Sequence, residues 1–78
     1  MTRSYTVSDA QETQIKNAFV YHAPKDDQPD RYVEIRELAR EFATRLCQLA
    51  PPSRELSLAL TNLEQAVFWG NASIARNE

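Results

Sequence analysis

The longest apolar stripe in the chain lies towards its end. Between Arg54 and Arg76, residues Leu56, Leu60, Leu63, Val67, Gly70 and Ile74 recur at steps of four, three, four, three and four. That spacing lines them along one face of an α-helix. No Pro interrupts the run, and its Ala, Leu, Glu and Gln residues are good helix formers. The helix predicted over 54–76 would be about 35 Å long. Ser53 stands where a hydroxyl can cap the free amides of the first turn. Gly70, the chain's only Gly, falls mid-helix, at a cost of about 1 kcal/mol against Ala. Two readings of it are open: a Gly merely tolerated, or one required by a backbone or ligand that approaches closely.

A second stripe precedes this one. Tyr32, Ile35, Leu38, Ala39, Phe42, Leu46 and Leu49 predict a helix over 29–49, with Pro29 in its first turn and Asp27 or Gln28 as cap. Arg31, Arg36, Glu37, Arg40, Glu41 and Arg45 lie off the stripe. At i,i+4 spacing Glu41 and Arg45 attract, whereas Glu37 repels Glu41 and Arg36 repels Arg40. Two Arg one turn apart point mildly to an anion or an acidic partner between them. Ala50-Pro51-Pro52-Ser53 cannot continue a helix. So short a connection makes the two helices antiparallel neighbours.

The N-terminal part is weaker in pattern. Ser8-Asp9-Ala10-Gln11 spells a capping box, and Asp9 and Glu12 suit the first turn of a helix. That helix is predicted over 9–20, with Ile15, Ala18 and Phe19 as a narrow apolar edge. The stretch 21–30 holds two Pro and three Asp and reads as a loop. The expected fold class is therefore all-α: a short N-terminal helix and a long antiparallel αα-hairpin, forming one domain over 1–78. Asn77 and Glu78, after the last helix, are expected to add nothing.

Some apolar residues are left over. Leu58, Phe68 and Trp69 fall outside the stripe of the last helix. Phe68 and Trp69 cannot both face the partner helix, because adjacent helical residues point about 100° apart. A patch of that size on a small protein marks an interface.

Composition sharpens this point. A chain of 78 residues buries a modest core and usually needs disulfides, metal or partner chains. Cys47 is the only Cys and His22 the only His, so neither an internal disulfide nor a zinc site is expected. Cys47 reads as a small buried hydrophobe on a helix rather than a nucleophile. Self-association into a homo-oligomer is left as the way to finish the core. The net charge of −2 argues against long nucleic acid, which needs a basic footprint. A small anion held by a few Arg side chains is still allowed. With no secretory segment and no apolar run long enough to span a bilayer, the expected location is the cytosol.

Little catalytic chemistry is legible. No Ser or Cys pairs locally with His22, one Gly cannot make a phosphate loop, and Asp26, Asp27 and Asp30 lack the rest of a calcium loop. The chain is not expected to be an enzyme. Tyr21, His22 and Lys25 place a ring, an imidazole and an ammonium within five residues, which suits stacking on a base and contacting a phosphate. Alternatively Tyr21 packs on the hairpin, His22 caps a helix and Lys25 is solvated.

An ordered set of phrases carries a resemblance. They are Tyr21-His22-Ala23-Pro24, then Arg31-Tyr32 and Ile35-Arg36, then Pro51-Pro52-Ser53-Arg54-Glu55. Ala59-Leu60, Leu63-Glu64-Gln65-Ala66-Val67 and Trp69-Gly70-Asn71-Ala72-Ser73-Ile74-Ala75-Arg76 complete it. Together they resemble the helical-hairpin domain shared by phage anti-CBASS and anti-Thoeris sponge proteins, over about residues 19–77. The short length looks more like the branch of anti-CBASS protein two. The resemblance implies a phage protein in the cytoplasm of the infected bacterial host. It would sequester cyclic oligonucleotide messengers without cleaving them, cyclic dinucleotides such as cyclic GMP-AMP and also cyclic trinucleotides, and so block CBASS immunity.

A homohexamer with pockets between protomers is implied, and no cofactor or metal. Tyr21, His22 and Lys25 would lie at a pocket, with Arg54, Asn71 and Arg76 as further candidates and Tyr5 as another. The family's Trp-Ala-Asn-Ala reads Trp-Gly-Asn-Ala here, so Gly70 could alter which ring fits. A second function stays open on the residues alone: a helical adaptor that docks a protein through Phe68 and Trp69 and takes no nucleotide.

Overall fold

The computed structural model describes residues 4–78; Met1 to Arg3 lie outside the described residues. Three helices follow one another, α1 (Asp9–Phe19), α2 (Gln28–Leu49) and α3 (Arg54–Asn77), and no strand occurs among the described residues. Each differs from its expected span by one residue at one end.

The caps explain where the helices start. Ser8 Oγ accepts from the Gln11 N–H at 3.1 Å, and Gln11 Oε1 accepts from the Ser8 N–H at 3.0 Å, closing the capping box of α1. Ser53 Oγ accepts from the Leu56 N–H at 3.1 Å and starts α3. α2 is built differently. Asp27 holds the N-cap position, yet its carboxylate caps no amide and turns to Arg31, 3.1 Å away. Asp26 just before it adopts φ 52°, a left-handed conformation that Asp tolerates in turns.

α2 and α3 pack along one seam, and α1 makes no comparable contact with either. The half-buried apolar positions of α3 are the expected stripe, Leu56, Leu60, Leu63, Val67, Gly70 and Ile74, with Ala59, Ala72 and Ala75 added; Asn71 and Arg76 near its end are half-buried too. On α2 they include Tyr32, Ile35, Ala39, Ala43 and Leu46. Here the expectation needs correcting. Leu38, Phe42 and Leu49 were assigned to the covered stripe, but they are 59%, 58% and 71% exposed. The apolar face of α2 is wider than one partner helix can cover, so a whole flank of it stays open. Leu58, Phe68 and Trp69 on α3, and Ile15 and Phe19 on α1, are exposed as well.

The outcome is a single layer. Its extents are 52 × 41 × 14 Å, and the last is little more than one helix with its side chains, roughly 10–12 Å. The radius of gyration is 17.8 Å, against about 11.5 Å for a compact chain of this length. No apolar residue is buried among the described residues; Gln28, 3% exposed, is the one buried side chain. A stable domain needs at least two layers around a core. One copy supplies only the first.

Two smaller expectations also fall, the first being the burial of Cys47, which is exposed on α2. The Glu41–Arg45 pair does not form, because Arg45 Nη1 donates instead to Gln48 Oε1 at 2.8 Å. Both ion pairs found among the described residues belong to Arg31. A Cβ built on Gly70 would meet Ile35 Cδ1 at 3.9 Å, an ordinary contact. The neighbouring helix therefore does not demand Gly at this position.

Candidate functional site at the open end of the hairpin

α2 starts where α3 ends, and the connection 20–27 from α1 arrives at the same place. Four of the six residues singled out in the sequence meet there. Tyr21, His22, Asn71 and Arg76 line one open groove of about 410 Å³, within the roughly 300–1,000 Å³ typical of ligand sites. Tyr32 and Arg36 complete its chemistry. The groove has two guanidinium groups, an imidazole and two phenol rings, and no carboxylate among its lining residues. On a chain whose net charge is −2, that is a local reversal of sign.

Each side chain has a structural reason to be there. His22 Nε2 lies 2.8 Å from the Asn17 carbonyl oxygen in the last turn of α1. Because a carbonyl only accepts, Nε2 carries the proton, and in the neutral ring Nδ1 is an acceptor. His22 thus caps a helix, one of the two roles open from the sequence. Tyr21 does not pack on the hairpin; it is 83% exposed. Asn71 and Arg76 stand on α3, both half-buried. The Asn71 Oδ1 atom is buried without a hydrogen-bond partner among the described residues. A buried acceptor left unpaired costs about 1–3 kcal/mol.

Lys25 does not line the groove and belongs to a different cluster, and with it comes the largest correction. Glu78 does matter. Arg31 donates to both of its carboxylate oxygens, Nη1 to Oε2 at 2.6 Å and Nη2 to Oε1 at 2.5 Å. Gln28 Nε2 donates to Glu78 Oε1 at 3.0 Å, and Lys25 Nζ donates to the Glu78 backbone oxygen at 3.0 Å. Hydrogen bonds from Arg31 and then Gln28, with the nearby positive charge of Arg31 and Lys25, hold the Glu78 carboxyl down at about 2. The same Glu78 contact, with Asp27 adding to it, raises Arg31 above its ordinary value.

Arg54 is not part of this constellation. It opens α3 at the far end of the hairpin, about 33 Å along the helix from Arg76. Gly70 points into the seam at Ile35 and does not line the groove. Tyr5 is exposed. The sequence reading left out Tyr32 and Arg36 as site residues. Tyr32 was hidden among core candidates, whereas Arg36 had left a trace in its unfavourable spacing from Arg40.

Two other concavities are less suited to an anion. The larger, about 600 Å³, holds Arg36 and Arg40 but also Glu37 and Glu64, whose charges offset them. Another, about 290 Å³, is lined by Ile35, Leu38, Phe42 and Ala66 and carries no charged group. Among the described residues, no group of three or more His, Cys, Asp or Glu could hold a metal ion, and no helix is long and apolar enough to cross a membrane.

No curated protein and no solved structure matches the chain. A family model does, the Acb2/Tad1 hairpin domain, over residues 11–75. This span takes in α1 from its first turn, the connection, and nearly all of the hairpin. The family is one of binding proteins that act as sponges for signalling molecules, not of enzymes. With its capped helices, its Pro-Pro turn and a match across most of its length, this chain belongs to the Acb2/Tad1 hairpin-domain family.

Proposed function

We propose that the protein is a phage anti-defence sponge, one domain over 1–78, that binds cyclic oligonucleotide messengers in the host cytoplasm and does not cleave them. The observation that carries this reading is the acid-free groove in which Tyr21, His22, Asn71 and Arg76 meet Tyr32 and Arg36. Cyclic dinucleotides such as cyclic GMP-AMP carry two phosphates and two flat bases. Arg36 and Arg76 supply charge-assisted donors for the phosphates. Tyr21 and Tyr32 offer ring faces for the bases, a contact worth about 1–3 kcal/mol per stacked base. Asn71 lines the same groove and brings an amide to it. His22 keeps Nδ1 as an acceptor, but no Ser, Thr, Cys, Lys or carboxylate lines the groove to pair with it in opening a phosphodiester.

Assembly is part of the reading. A single layer with Leu38, Phe42 and Trp69 open to water needs cover, and further copies of the same chain would provide it. We take the assembly to be a homohexamer, as the resemblance implies. Around a two-fold axis the groove's two Arg become four cations facing a ligand of the same symmetry. Arg54, far from this groove within one protomer, is assigned to a separate pocket in the assembly, one that could take cyclic trinucleotides.

Thermal unfolding with a panel of cyclic dinucleotides and trinucleotides, and linear dinucleotides as controls, tests this directly. Stabilisation by cyclic ligands, from a species several times the 8.9 kDa chain mass in light scattering, is the expected result. A chain stable as a monomer that responds to none of them would overturn it. That outcome would favour the adaptor reading, which the exposure of Phe68 and Trp69 (54% and 64%) supports.

A further inference from the structure

Glu78 joins three segments: the end of α3, the start of α2 and the connection before it. Its carboxylate grips Arg31 on the second turn of α2 and Gln28 at the start of that helix, and its backbone oxygen accepts from Lys25 Nζ in the connection. Gln28 passes the grip on. Its side-chain Oε1 accepts the Lys25 N–H at 3.1 Å, and its own N–H donates to the Lys25 carbonyl at 3.0 Å. Lys25 is thereby held at three atoms: its backbone N–H, its carbonyl and its ammonium. The one buried side chain among the described residues, Gln28, is the hub of this arrangement.

We propose that Glu78 is a positioning residue: through Gln28 and Arg31 it fixes the 20–27 connection to the hairpin and so aims the Lys25 ammonium at an anion bound at the open end. This rests on the reading of the chain as a cyclic-nucleotide sponge. The aim does not consume the charge. An ammonium has three N–H groups, and the Glu78 oxygen takes one, so two remain for a phosphate. A Lys on a free loop would instead lose rotamer freedom when it met the ligand. The connection also carries Tyr21 and His22, so fixing Lys25 restrains the near wall of the groove. Two of the bonds to Lys25 are local, from Gln28 three residues on, whereas the ammonium's partner, Glu78, lies 53 residues away.

Two readouts on the full-length chain test the proposal. Amide hydrogen exchange at Lys25 reports the grip without any ligand. Glu78→Ala is expected to speed it by about tenfold or more. Glu78→Gln, which keeps the length and an oxygen but drops the charge, should have a smaller effect. Titration with 3′,3′-cyclic GMP-AMP reports the aim. Glu78→Ala removes the carboxylate's bonds to Gln28 and Arg31, so it should weaken binding about tenfold in the wild-type background and add nothing in a Lys25→Ala background, where no ammonium is left to position. Far-UV helicity of each variant shows that the hairpin is intact. Unchanged Lys25 exchange in Glu78→Ala overturns the proposal. So do faster exchange with unchanged affinity, and an equal loss with and without Lys25. A wild-type chain that binds no cyclic nucleotide is distinguishable from all of these: it removes the sponge reading and with it the aim, while the exchange data still decide the grip.

Discussion

The two ends of the hairpin are held together by different means. At the closed end Ala50-Pro51-Pro52-Ser53 joins α2 to α3 covalently, and the local bonds there, such as the Ser53 cap, stay close in sequence. At the open end nothing in the backbone ties the helices, and side chains do it instead, through Lys25, Gln28, Arg31 and Glu78. The acid-free groove lies at this same end. Polar side chains are concentrated where the covalent link is missing, and that is also where an anion can find unopposed positive charge. A loop closes cheaply by itself; an open end needs partners, and partners bring chemistry.

The sharpest way to break this comparison is to remove charge from each end in turn. Arg36→Ala with Arg76→Ala takes away two donors worth about 1.5–3 kcal/mol each, so affinity for a cyclic dinucleotide should fall by roughly 100-fold or more. Arg54→Ala at the closed end should change it by no more than about twofold, and its effect should add to that of Arg76→Ala with no coupling. Titration calorimetry of the single and double variants checks both. Strong coupling between Arg54 and Arg76 would mean that copies bring the two ends together into one pocket.

How much of this was legible in the sequence follows from what each feature depends on. The helices and their caps depend on residues three or four apart, so Ser8 with Gln11, and Ser53 ahead of Leu56, could be read directly. The grip of Glu78 could not. It joins residues about fifty apart and rests on two helix ends of matched length coming level. The width of the α2 stripe was visible, but periodicity says which residues share a face and not how many of them a neighbour covers. Leu38, Phe42 and Leu49 were misassigned for that reason. Four site residues came together because His22 and Tyr21 sit beside the first helix and Asn71 and Arg76 near the end of the last. Arg54 shares only the residue type.

Charging the open flank is the next largest perturbation. Phe42→Glu places a carboxylate at the exposed edge of the α2–α3 seam, with far-UV helicity as the check that the hairpin stays folded. Burying a Phe there in an assembly is worth about 1.5–3 kcal/mol, so the variant should shift light-scattering mass towards the 8.9 kDa monomer. An unchanged mass would mean that copies meet elsewhere. Smaller still is Gly70→Ala. With a contact of 3.9 Å available for its Cβ, it should stabilise the chain to thermal unfolding by up to about 1 kcal/mol. Destabilisation would point to a neighbouring copy packed on that position.

The smallest effect separates the ends by pH. Glu78 has its carboxyl lowered from 4.5 to about 2, so its contribution is complete above pH 4.5 and is lost as pH falls towards 2. The melting temperatures of wild type and Glu78→Gln should differ slightly at neutral pH and converge near pH 2. A gap that closed well above pH 4.5 would exclude the Arg31–Glu78 contact as its source.

The most direct measurement of all concerns what becomes of the ligand. A limiting amount of cyclic GMP-AMP is mixed with excess protein, free nucleotide is followed by filtration, and the protein is then denatured and its contents analysed by mass spectrometry. Disappearance of free ligand followed by full recovery of the intact ring is expected of a sponge. Recovery as linear or monomeric nucleotide, or ligand that never leaves the filtrate, would contradict it.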